Sequence, residues 1–171
     1  MTRFLLQSTL ILVLTVLTQI GGLAWIIALL FRRRLLAFLI TYTAMTLGAS
    51  WIAPNFGRMA LSCTADGPLQ VQSWMYCALN RNYVTPELAE TLGQTAIAMD
   101  ARYPGTITLV LDANFPIFDN FPLLPHLSHN DGEKADLAFY YQDETGYLAG
   151  TTRSPIGYFA FEPSPTDCAP T

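Results

Sequence analysis

Residues 85–112, TPELAETLGQTAIAMDARYPGTITLVLD, carry a helix signal followed at once by a strand signal. Thr85 can accept a hydrogen bond from the first free amides of a helix. Pro86 suits the first helical position, and Glu87 and Glu90 favour the positive end of the helix dipole. Leu88, Leu92, Thr95, Met99 and Tyr103 recur at helical spacing and would form one face, and Pro104-Gly105 ends the run. Residues 106–112, TITLVLD, are β-branched and apolar and predict a strand. A helix packed on short strands makes this region α+β.

Working outward, residues 113–128 form a long loop rich in Phe and Pro. Loops of that length in a compact domain are commonly functional or disordered, and the aromatic content argues against disorder. The side chains of this loop can either plug the core or wall a groove. ADLAFYYQ, residues 135–142, predicts a second strand, DETG a hairpin turn, and YLAG the return. A further short strand is expected over residues 154–163. On the N-terminal side, residues 55–84 read as irregular, with a turn-rich CTADGPLQ and a short apolar SWMYCAL. The expected domain, residues 55–171, is a small antiparallel sheet with one helix, and it looks unfinished at its C-terminal end.

Both histidines of the chain lie between the loop and the second strand, in HLSHNDGEKADLAF, residues 126–139. Zinc sites use imidazole nitrogen, thiolate and carboxylate oxygen, and catalytic ones commonly have three protein ligands. His129 and Asp136 can converge on one ion if the intervening segment folds back. Gly132 permits the backbone angles of such a return. His126 and Ser128 would then stand beside the ligands, orienting them or touching substrate. On spacing alone, H-x6-D is a weak signal, since histidines in a loop are often merely polar loop residues.

Residues 1–54 are of a different kind. No charged residue occurs over residues 4–31 or again over residues 35–53, and each run matches the roughly 20 apolar residues that cross a hydrocarbon core. The expectation is a helical hairpin contacting the lipid bilayer through both runs. The first run is long, and Gln19-Ile-Gly-Gly22 in its middle lets it tilt, kink or extend into the interface. A cleaved signal peptide is the competing reading, but the run exceeds a usual signal core and a second one follows it. Arg32-Arg33-Arg34 between the runs reads as a topology signal that keeps the turn cytoplasmic, with both chain ends on the other side. The domain then faces the periplasm from a bacterial inner membrane. The spans lack ionisable residues, which argues against a transporter.

Charge follows the same partition. Residues 1–54 hold four arginines and no acid, whereas residues 55–171 hold five basic side chains against thirteen acids, a net of about −8. Such a domain is a poor electrostatic match for nucleic acid, and no nucleic-acid partner is expected. All three cysteines lie in this part, where an oxidising compartment would preserve disulfides. Cys63 and Cys77 enclose a short loop and can pair, which leaves Cys168 over.

The pattern H-x-S-H-x-x-G-x-x-x-D followed by an apolar strand resembles the zinc motif of the penicillin-insensitive murein endopeptidases. These belong to the wider group of lysostaphin, D-alanyl-D-alanine and hedgehog-type metallopeptidases. The resemblance implies that His129 and Asp136 are zinc ligands and that His126 is a catalytic neighbour. It also implies that zinc-activated water attacks a peptide cross-link of peptidoglycan. It covers about 14 residues strongly. The family takes its third ligand from a later H-x-H pair, and this chain has no histidine after His129. The acid that usually stands two residues before the ligand aspartate is Lys134 here, and nothing places Glu133, Glu144 or Asp112 on the metal. The chain alone is therefore expected to lack peptidase activity. It reads either as a piece of a longer enzyme or as an inactive cell-envelope binding or assembly protein.

Overall fold

The computed structural model describes residues 2–159. Its helical layer contains α1 (Thr2–Thr18), α2 (Gly21–Ala28) and α3 (Arg34–Ile52). The first apolar run is thus not one spanning helix, because it breaks at Gln19, whose φ is +65°. Thr18 Oγ1 donates to Leu14 O at 2.8 Å and accepts from Gly21 N at 2.8 Å, so one hydroxyl closes both sides of the turn. Past it, α2 doubles back along α1, and Trp25 Nε1 reaches Gln7 Oε1 at 2.7 Å. Gly21 and Gly22 allow this approach. A Cβ on Gly21 would lie 2.5 Å from Thr18 Oγ1, and one on Gly22 would collide with Thr15 Oγ1.

Helix α3 and the turn after it, Arg34–Phe56, form the one segment among the described residues that is long and apolar enough to cross a membrane, by length and composition; the expected second span is not found. Arg3 and Arg34 line one cleft together with Leu29. The N-terminal end of α1 therefore sits with the arginine turn and not opposite it, as the simple two-helix reading expected.

The layer meets the rest of the chain through an apolar contact of Ala49 and Ala53 with Tyr83 and through polar contacts. Gln19 Oε1 accepts from Ile117 N at 2.9 Å, so the helix break docks on the aromatic loop. Tyr42 of α3 donates to Ala78 O at 2.6 Å and accepts from Asn80 Nδ2 at 3.0 Å.

The α+β character holds. Strands β1 (Met59–Ala60) and β3 (Tyr83–Val84) pair antiparallel, whereas β2 (Leu69–Val71) and β4 (Thr108–Val110) pair parallel. The parallel pair departs from the expected antiparallel sheet. Parallel strands need a long crossover, and the short α4 (Trp74–Ala78) and the long α5 (Pro86–Arg102) supply it. Strand β2 has three residues in a stretch that reads as irregular, too short to show a period.

Helix α5 begins where its cap predicts, with Thr85 Oγ1 accepting from Leu88 N at 3.3 Å, and it stops before Gly105, whose φ is +87°. Its inward face is Leu88, Ala89, Leu92 and Ala96, while Thr95 and Tyr103 are exposed. This face packs on a core containing Val84 and Val110, both fully buried. The second predicted strand is much shorter than residues 135–142. It survives as residues 136–138 laid antiparallel on β4, bridged Val110 to Leu137. The hairpin at residues 143–146 forms as expected, between β5 (Gln142–Asp143) and β6 (Gly146–Tyr147). Residues 154–159 make turns where a strand was expected, and residues 160–163 and Cys168 lie outside the described residues. Cys63 and Cys77 are disulfide-bonded.

Candidate metal centre

Each site residue is held by a distinct piece of backbone. Asp136 lies on the short segment against β4: its amide donates to Asp112 O at 2.8 Å, and its carbonyl accepts from Leu111 N at 2.8 Å. The loop carrying the histidines is anchored at both ends. Near its start, Asn114 and Tyr83 exchange backbone hydrogen bonds of 2.9 and 3.1 Å, and Phe115 and Leu123 are buried. Near its end, His129 N donates to His126 O at 2.9 Å, which turns both rings toward the same side. Gly132 makes the return with a φ of +80°, and its carbonyl accepts from Thr85 N at 2.9 Å. The side chain of Arg58 fills the space that a Cβ on Gly132 would need.

The expected convergence occurs, and it includes His126. Donor atoms of His126, His129 and Asp136 all lie within 4.8 Å of one another. His126 Nδ1 is 3.2 Å from Asp136 Oδ2, and His129 Nε2 is 3.3 Å from Oδ1. The His129 side chain is buried, while those of His126 and Asp136 are partly exposed. One side of the cluster is therefore closed and the other open. His129 Nδ1 is buried without a hydrogen-bond partner among the described residues, so packing and the contact of Nε2 with Asp136 fix that ring.

Three residues around the cluster carry no spacing signal in the sequence. Tyr158 donates its phenol to Asp136 Oδ2 at 2.5 Å and stacks on His126, with ring centroids 5.2 Å apart and 16° between planes. Arg81 pairs through two nitrogens with Asp112, Nε to Oδ1 at 2.8 Å, and donates to Leu124 O at 2.7 Å. It thereby ties the end of β4 to the chain two residues before His126. Burial pushes the Asp112 carboxyl above its ordinary range, while Arg81 and the two histidines pull it back. Tyr76, whose phenol donates to Ile156 O at 2.5 Å, is pushed up to about 12 by burial, with Asp112 adding to it.

Asp112, engaged by Arg81, stays outside the group of three donors, as do the exposed Glu133 and Glu144. Lys134 pairs with Asp131. A cleft of about 360 Å³ opens beside His126 and Tyr158, walled by Met75, Leu79, Pro125, Ile156 and Phe159. The aromatic loop thus does both things open to it. Phe115, Pro116 and Leu123 plug the core, and Pro125 and His126 face the cleft.

Two imidazoles and one carboxylate make a donor set suited to zinc or another first-row divalent ion, with room for a further ligand on the open side. The donor spacing fits as well. Two atoms bound tetrahedrally at zinc–nitrogen and zinc–oxygen lengths stand about 3.4 Å apart, close to each histidine–carboxylate separation, which here falls on a different oxygen of Asp136 for each ring. Comparison with protein-family models, with curated proteins and with solved structures finds no match.

Proposed function

We propose that this chain is a membrane-anchored, zinc-dependent peptidase-like protein of the bacterial cell envelope, directed at peptide cross-links of peptidoglycan. The observation that carries the reading is the meeting of His126, His129 and Asp136 at one point beside an open cleft. The resemblance of the motif to the murein endopeptidases supplies the substrate class. Zinc held by these donors would lower the pKa of a water to about 7 and polarise a carbonyl, the chemistry that amide hydrolysis needs.

The chain's own residues present the donors, bury His129 on one side and leave the apolar cleft for an arm of the substrate. The helical layer supports membrane attachment through Arg34–Phe56, with the arginine end cytoplasmic and the domain in the periplasm of the inner membrane. The Cys63–Cys77 disulfide is in keeping with an oxidising compartment.

A second reading is a cell-envelope protein that binds peptidoglycan without cutting it. What favours it is that Lys134 stands where the motif's usual acid would be and that Asp112 is engaged by Arg81, so no carboxylate beside the donors, among the described residues, is free to serve as base. One experiment separates the two. The full chain is purified in detergent, its zinc content measured, and cross-linked muropeptides are added. Against the sequence expectation of no activity from this chain alone, the grouping of three donors lets the peptidase reading expect one zinc and cleavage, both lost in Asp136→Ala. Muropeptide binding without cleavage supports the second reading. Zinc content and hydrolysis unchanged in Asp136→Ala would sink the site.

A further inference from the structure

We infer that His126 is itself the third metal ligand, and that Tyr158 makes it one by clamping His126 and Asp136 together. The inference rests on the metal reading above and departs from the resemblance, which gives His126 the role of a neighbour and takes the third ligand from further along the chain.

The geometry carries it in three steps. His126 Nδ1 and His129 Nε2 stand at nearly equal distances, 3.2 and 3.3 Å, from the two oxygens of one carboxylate. The two rings thus approach Asp136 at similar distances, each at its own carboxylate oxygen, His129 from the buried side and His126 from the partly exposed one. Both separations stand at the long end of the N–H···O range and are close to the spacing of donors around one ion. Next, a single side chain touches both partly exposed donors: the Tyr158 phenol holds Asp136 Oδ2 at 2.5 Å while its ring lies flat on His126. Hydrogen-bonded carboxylates and oriented imidazoles are what outer groups provide around bound metals.

Finally, Tyr158 is delivered by a braced segment. Tyr76 holds Ile156 O at 2.5 Å, Ser154 Oγ donates to Tyr158 O at 2.8 Å, and Gly157 packs where a Cβ would strike Leu111. Five residues are thus built around the placement of one phenol. The same contacts pack Tyr158 on the core of Tyr76, Leu109 and Leu111, which fixes where its phenol meets Asp136.

The test uses the full chain in detergent, with zinc and cobalt as probes. Zinc affinity is measured by competition with a chromophoric chelator, and the cobalt form by its visible absorption. Tyr158→Phe keeps the stacked ring and removes only the hydroxyl. It is expected to bind one equivalent with affinity weakened about 10- to 100-fold, the usual cost of losing an outer-shell partner. His126→Ala should lose more than that and shift the cobalt bands, because a nitrogen donor leaves the ion. His126→Gln, closer in size, guards against a folding artefact, and its far-ultraviolet circular dichroism should match the parent. If His126→Ala and Tyr158→Phe both bind zinc like the parent while Asp136→Ala does not, the metal reading stands and this assignment is overturned. If the parent binds no zinc or cobalt, both fall together.

Discussion

Gly132 shows how one residue sets the site. Its φ of +80° lies where side chains are disfavoured, and the Arg58 guanidinium occupies the space beside it, with Nε 2.5 Å from where a Cβ would sit. Arg58 is held there by its ion pair with Asp119, so it cannot simply move aside. Gly132→Ala should therefore destabilise the domain by more than the roughly 1 kcal/mol that such a backbone conformation alone costs an alanine. It should also lower zinc affinity, because the return from His129 to Asp136 passes through this residue. Denaturant unfolding and chelator competition on the same variant check both; a neutral result in the two would mean that the turn is not what joins the ligands.

At the scale of elements, the N-terminal run is the informative case. The run over residues 4–31 has the composition of a single span, yet it folds as two helices because Gln19 takes a left-handed conformation and Gly21-Gly22 let the return helix touch the first. Gly22→Val should prevent that contact, since its Cβ would collide with Thr15 Oγ1. Overpacking of this kind typically costs 1–3 kcal/mol. The expected outcome is loss of the Trp25–Gln7 hydrogen bond, read as a red shift and loss of intensity in the emission of Trp25 with Trp51 and Trp74 replaced by Phe. Unchanged emission would contradict the packed hairpin.

The same scale shows what could be read in advance. Helix α5 was legible from Thr85, Pro86 and Pro104-Gly105 because capping is local chemistry. The hairpin at residues 143–146 was legible for the same reason, and Cys63 and Cys77 could be read as able to pair because the loop between them is short. Strand β2 was not legible, because three residues carry no period and its partner lies 39 positions on, Leu69 against Thr108. Of the candidate site, the nearness of His129 and Asp136 was to be expected from their motif. The places of Tyr158 and Arg81 were not, because tertiary packing alone brings Tyr158 to Asp136 across 22 residues and Arg81 to Asp112 across 31.

At the scale of the whole molecule, charge and polarity are sorted end to end. The arginines of residues 1–54 include Arg3 and Arg34 at one shared cleft, while all thirteen acids belong to the part beyond residue 54. The interior of that part also sets an alkaline limit. Burial raises the phenols of Tyr76 and Tyr83 from 10.0 to about 12. A phenol whose pKa is raised by folding contributes stability that is fully present below pH 10 and is lost as the pH climbs through about 12. The expected outcome is an unfolding midpoint that is steady through neutral pH and falls steeply across that window, in step with phenolate absorbance. Tyr76→Phe and Tyr83→Phe should flatten the fall; an equally steep fall in both would assign the alkaline loss to other groups.

The most direct test of the central claim is X-ray absorption at the zinc edge on the metal-loaded full chain. The account expects a first shell of nitrogen and oxygen at about 2.0–2.1 Å, with the multiple scattering of two imidazoles, reduced to one in His126→Ala. A shell containing sulfur, a single imidazole in the parent, or zinc that washes off without any ordered shell would contradict it.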